Sequence, residues 1–355
     1  MRLLGRRSAV REPHPAGATT PSEALVLAEK LAAEGRCQDA IDVLTRCNRQ
    51  KRTPAVERLL VRLRHDALVE IERTPSVDPW PPGLPDPAPG ADGVVEIRAD
   101  ELTADRMGGA IQHHGCVLVR GLIPRPAVDR LVENVDRAFD AAEAWRVGGD
   151  DALRDDGGSW FEPFAPDPRY TLETLDFARR RRNYYRVLLA DSPSSMFDVL
   201  EAFEGAGMRA ALAGYLGSRP VLSKFSMRRM PWRRENLGWH QERGVFRRPT
   251  RAVNFWIALS ACGTDAPGLE VIPHRMTDVV ESPGKGYALK DGIVETLGLP
   301  PPVAPAFEPG DAIAFDDLLL HRTAARDDMQ VVRYSIESWF FAPQDFPRTL
   351  LPIVF

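Results

Sequence analysis

The apolar positions of this chain change their period along its length. Leu25, Ala28, Leu31 and Ala32 share one helical face that Ser22 can cap and Gly35 can end. Ala40, Ile41, Leu44 and Cys47 predict a second helix over 38–48. Leu59, Leu60, Leu63, Ala67, Leu68 and Ile71 predict a third over 55–72. Residues 75–93 hold seven prolines, which predicts a semi-rigid linker or extended arm with Trp80 as its anchor. Helical spacing returns over 99–114, 126–145 and 196–216, with a short apolar strand over 116–120. From residue 219 the pattern turns to strands over 221–230, 254–259, 269–272, 312–315 and 331–341, divided by Gly and Pro. The whole predicts an α+β protein. Its core is a double-stranded β-helix, the jelly-roll or cupin-like double sheet, braced by helices and preceded by a small all-α segment. The expected divisions are a flexible 1–20, a helical 21–74, a proline-rich linker 75–93 and a jelly-roll domain 94–355.

Composition narrows the partners. The 355 residues, 44% hydrophobic, suffice for a sizeable core. A net charge of −4 argues against a general nucleic-acid binder. No apolar run approaches a membrane span, and the basic N-terminus lacks the apolar core of a signal peptide. Cys37, Cys47, Cys116 and Cys262 are scattered, with no Cys-x-x-Cys, which predicts a reducing, cytoplasmic setting. Only five of the 46 basic residues are lysines, so arginine number alone carries no weight.

Candidate chemistry begins at Trp239-His240-Gln241-Glu242. In an extended strand His240 and Glu242, at i and i+2, project from one face. His321 supplies a second imidazole from far along the chain. Two imidazoles and one carboxylate are the donors that hold non-heme Fe(II) on one face and leave the opposite positions open. Arg333 lies in a strand of β-branched and aromatic residues, sharing a face with Ser335, Glu337 and Trp339. A guanidinium at an inward position is costly unless it meets an anion, and with a hydroxyl beside it suits a carboxylate. If Arg333 were a plain ion pair, Glu337 would be its partner. His14, His65, His113 and His114 have no partner at ligand spacing and read as surface or capping residues.

In this order, His-x-Glu, a distal His and Arg-x-Ser resemble the Fe(II)/2-oxoglutarate-dependent oxygenases, and within them the phytanoyl-CoA dioxygenase-like branch. Asn254-Phe-Trp-Ile-Ala-Leu259, Gly268-Leu-Glu-Val-Ile-Pro273, Pro309-Gly-Asp-Ala-Ile-Ala-Phe315 and Gly115-Cys-Val-Leu-Val-Arg-Gly-Leu-Ile-Pro124 are similar to successive strands and turns of that branch. Together the matches span roughly 95–342. Two departures stand out. The family usually has Asp where Glu242 stands, and Pro273-His274-Arg275-Met276 replaces its usual Pro-Gly-Ser-His.

The resemblance implies Fe(II), 2-oxoglutarate as cosubstrate and O₂, with hydroxylation of a small or carrier-linked substrate and release of succinate and CO₂. It implies that His240, Glu242 and His321 hold the metal and that Arg333 and Ser335 hold the cosubstrate. Thr323, two residues past the distal His, and Trp256 are expected to line the same pocket. Arg228, Arg247 and His274 are the expected substrate contacts, which would suit an anionic group. Residues 146–185, without a clean period, are expected at the substrate mouth. Ala28, Gly35, Ala40, Leu44 and Pro54 resemble one tetratricopeptide unit, so 21–74 is expected to cap the main domain or make a homodimer or protein contact. Two alternatives belong to other classes: a non-catalytic cupin-like binding protein, and an interaction protein working through its N-terminal helices.

Overall fold

The computed structural model describes residues 20–72, 79–153, 159–165, 167–170, 185–231, 238–246, 249–281, 288–290 and 292–355. Arg247 and the expected flexible stretch through residue 19 lie outside them. The first three helices are α1 (Pro21–Ala33), α2 (Cys37–Gln50) and α3 (Pro54–Asp66), followed by a single turn, α4 (Leu68–Ile71). Thr20, not Ser22, caps α1: its hydroxyl accepts from Glu23 N, and the Glu23 carboxylate accepts from Thr20 N. Proline at the first helical position sets this start two residues early, since its missing N–H costs nothing there. The helix expected over 55–72 breaks at Ala67.

Next come β1 (Val95–Arg98), α5 (Ala104–His114), β2 (Cys116–Arg120), α6 (Arg125–Gly148) and β3 (Arg186–Leu188). The helix expected over 196–216 is two, α7 (Pro193–Gly205) and α8 (Met208–Leu216). Gly207 separates them at φ +72°, a conformation that an L side chain rarely adopts. Then follow β4 (Val221–Met230), the one-turn α9 (Arg243–Phe246), β5 (Ala252–Ala258), β6 (Gly268–Val271), β7 (Ala312–Phe315), β8 (His321–Ala324), β9 (Arg333–Phe341) and β10 (Ile353–Val354).

Among the described residues the large sheet runs β1-β2-β7-β5-β9-β4-β10, and β3 also pairs with β4. Only β1–β2 is parallel there. A small sheet pairs β6 with β8. Single bridges widen it, His240 to Ala288 and His321 on one side and Val271 to Val303 on the other. The strand alternation decides what each face of the large sheet meets. Val253, Phe255, Ile257, Ala314, Ile336 and Phe340 face a core shared with α5, α6, α7 and α8. Trp256, Ile313, Phe315, Trp339 and Phe341 face the other way, toward Leu269 and Val271 of the small sheet. Every residue of β5 is buried, because a layer covers each of its faces.

The N-terminal helices join this second core. Arg64, buried in α3, donates to Val354 O at 2.8 Å, so α3 covers the β10 edge of the sheet. His65 corrects the surface reading: it is buried, with its ring nitrogens 2.7 Å from Asp167 Oδ2 and 3.1 Å from Pro352 O. Glu57 is buried between Arg52, Asn48 and Ser194. The proline-rich arm is laid onto the body as well. Trp80 packs on Tyr215 with ring centroids 4.9 Å apart. A Cβ on Gly109 of α5 would sit 2.3 Å from Pro85 O, which is why that helix tolerates a glycine there. A chain starting at residue 94 therefore uncovers apolar surface and a sheet edge. It should lose cooperative thermal unfolding; a truncated protein melting like the full chain would make the helices dispensable.

Candidate metal centre

The metal-type donors converge from two segments. His240 and His321 exchange both backbone hydrogen bonds, at 3.1 and 3.2 Å, as a single antiparallel bridge. Their rings lie 4.2 Å apart between centroids. The expected strand bearing both His240 and Glu242 is not formed. His240 is a lone bridge residue, and Glu242 opens the α9 turn by accepting from Phe246 N. The turn nevertheless brings the carboxylate in, with Glu242 Oε1 4.0 Å from His240 Nε2. One ligand atom from each of His240, Glu242 and His321 lies within 4.8 Å of the others, and all three residues are buried.

Each imidazole is oriented by its own backbone. His240 Nδ1 sits 2.9 Å from Gly238 O, and His321 Nδ1 sits 3.1 Å from Leu319 O. A carbonyl oxygen only accepts, so each Nδ1 carries the proton and each Nε2 keeps its lone pair for a metal. Burial, and then the neighbouring His240, push the His321 imidazolium down to about 3. It is therefore neutral at physiological pH, as a ligand must be.

Sequence reasoning missed the groups that hold this segment still. The Gln241 side chain is buried; its Nε2 donates to Leu318 O at 2.6 Å and its Oε1 accepts from Val280 N at 2.8 Å. Arg243 grips Asp317, with Nη2 2.9 Å from Oδ1, and its own N–H donates to Asp317 O. Arg275 pairs with Asp316. Together these tie the residues flanking Glu242 to the turn that precedes His321. The only sequence signal was the Asp316-Asp317 pair after an apolar strand, and it names no partner.

Arg333 stands on the inward face of β9, 2% exposed. Its guanidinium carbon is 5.3 Å from the Trp256 ring centroid. Nη1 lies 3.3 and 3.4 Å from two backbone carbonyls and Nη2 3.5 Å from Met230 Sδ, all at the long end of hydrogen bonding. Ser335 Oγ is fully buried and has no hydrogen-bond partner among the described residues. Thr323, half-buried on β8, alternates onto the same face as His321. Among the expected substrate contacts, Arg228 pairs with Glu337, and His274 is exposed.

The donor set and the buried arginine agree with the comparison by family. The model for phytanoyl-CoA dioxygenase matches residues 111–327. The chain belongs to the phytanoyl-CoA dioxygenase family. Iron and 2-oxoglutarate are the cofactors that come with it, and two imidazoles with one carboxylate suit the iron. No curated protein matches. Solved structures that resemble the chain include AviO1 from Streptomyces viridochromogenes Tue57 (18% identity, 67% of this chain and 94% of that one, TM-score 0.42). EctD from S. alaskensis, solved with 2-oxoglutarate and 5-hydroxyectoine, has 16% identity, covers 76% and 83%, and has a TM-score of 0.48. The epimerase SnoN, solved with Fe3+, alpha ketoglutarate and nogalamycin RO, has 13% identity, covers 67% and 83%, and has a TM-score of 0.43. Among the described residues of this family member, no helix is long and apolar enough to cross a membrane.

Proposed function

We propose that this chain is an Fe(II)- and 2-oxoglutarate-dependent oxygenase that hydroxylates a small or carrier-linked substrate. The observation that carries this reading is the buried convergence of His240, Glu242 and His321. We read the two sheets as the walls of a jelly roll whose interior holds the site, and residues 21–74 as a tetratricopeptide-like cap on it. His240, Glu242 and His321 hold the iron. Arg333 grips the far carboxylate of 2-oxoglutarate as a fork, with Ser335 and Thr323 donating beside it and Trp256 closing the wall. When bound, the iron and 2-oxoglutarate supply the O₂-dependent oxidation, with succinate and CO₂ as by-products. The protein supplies orientation and a dry interior.

Two features support Arg333 in this role. The guanidinium is buried on the same strand face as Ser335, and the Ser335 hydroxyl has no hydrogen-bond partner among the described residues. A dicarboxylate answers both. Adding Fe(II) and 2-oxoglutarate without oxygen should give a weak visible charge-transfer band. A binding protein of the cupin type would give none, and that result would remove the oxygenase reading.

A further inference from the structure

The inward face of β9 carries Arg333, Ser335 and Glu337 in succession. A carboxylate four residues from the cosubstrate arginine is a competitor for it. The two Cα atoms are about 13 Å apart along the strand, a span that an arginine and a glutamate leaning together can close. Even without contact, a carboxylate on this wall would repel a dicarboxylate through a medium that screens poorly.

The register sets a cation against that carboxylate. On β4, Met230 stands opposite Arg333, Arg228 opposite Ser335 and Ser226 opposite Glu337. Arg228 is therefore diagonal to Glu337 on the same face, and its Nη2 donates to Glu337 Oε2. The side chains are 17% and 20% exposed, so the pair is largely shielded from water. The Arg228 Nε is buried without a hydrogen-bond partner among the described residues, and the grip on Glu337 runs through the outer nitrogen. A partly buried charge held this way keeps its geometry better than a surface pair.

We propose that Arg228 is a positioning residue: by holding and neutralising Glu337 it reserves Arg333 for the cosubstrate. This rests on reading Arg333 as the 2-oxoglutarate grip. Arg228 touches neither metal nor cosubstrate in this role and acts through Glu337.

The test is anaerobic titration of the Fe(II)-loaded full chain with 2-oxoglutarate, read by the charge-transfer band. Arg228→Met should weaken 2-oxoglutarate binding about tenfold while Fe(II) binding is retained. Arg228→Met combined with Glu337→Gln should recover most of the loss, because the competitor is gone. Unchanged affinity in the single variant would overturn the proposal. So would a double variant as weak as the single, since Arg228 would then act directly on the cosubstrate. If Arg228→Met does not fold, Arg228→Lys asks the same question. A lysine still neutralises Glu337, so affinity should stay within about threefold, and a tenfold loss would overturn the proposal. Failure of the unaltered protein to bind 2-oxoglutarate would instead strike the Arg333 reading itself.

Discussion

Glu242→Ala should abolish iron binding and, with it, all 2-oxoglutarate-dependent succinate formation. Glu242 is the only anionic member of the donor cluster. Imidazole ligands bring no negative charge, so without the carboxylate a divalent ion would enter a buried site with no opposing ligand charge. Loss of a mere hydrogen-bond partner of a ligand typically costs roughly 10–100-fold in metal affinity. Losing a charged ligand should cost more. Two measurements check this. Equilibrium Fe(II) binding should fall by at least about two orders of magnitude. Fe(II) should also raise the melting temperature of the unaltered protein, since binding at about a hundred times Kd stabilises by about 2.7 kcal/mol, and should leave the variant unmoved. Because Glu242 precedes a single helical turn rather than lying within a sheet strand, the variant should fold. Undiminished succinate in a folded Glu242→Ala protein would end the metal assignment.

Arg333→Ala should separate the two cofactors. The arginine is on the large sheet and the donors come from the opposite side of the interior, so Fe(II) binding should persist. The affinity for 2-oxoglutarate should fall by about 3 kcal/mol, or roughly 150-fold, the usual scale for truncating one partner of a buried charge pair. Arg333→Lys should fall between, because an ammonium cannot present two parallel N–H groups to a carboxylate. Anaerobic titration of the charge-transfer band reads both effects. An Arg333→Ala protein that lost iron and 2-oxoglutarate together would point to collapse of the site instead.

Much of the candidate site was legible in the sequence. An imidazole pair with a carboxylate, and an arginine two residues from a serine on an apolar strand, are chemical statements that hold whatever the fold. The strands over 116–120, 221–230 and 312–315 were legible from their apolar runs and their Gly and Pro boundaries. The helix break at Gly207 was misread, because the apolar period resumes beyond it and hides a change of axis. His65 was misread for another reason. Its partners, Asp167 and Pro352, are about a hundred and nearly three hundred residues away, and no local pattern reports them.

By itself the sequence determined which side chains were available and the period of each segment, since these depend only on composition and on i, i+2 or i, i+4 geometry. It therefore supplied the candidate donors and the alternation of β9. The tertiary structure alone decided partnership. It bridged His240 to His321 instead of running a strand through Glu242, and it gave Glu337 to Arg228 instead of Arg333. It also merged the N-terminal helices with the inner face of the sheet. Such choices are made by strand register and by burial between distant segments. A charge in that interior pairs with whatever the packing sets against it, and neighbours in space are not neighbours in the chain.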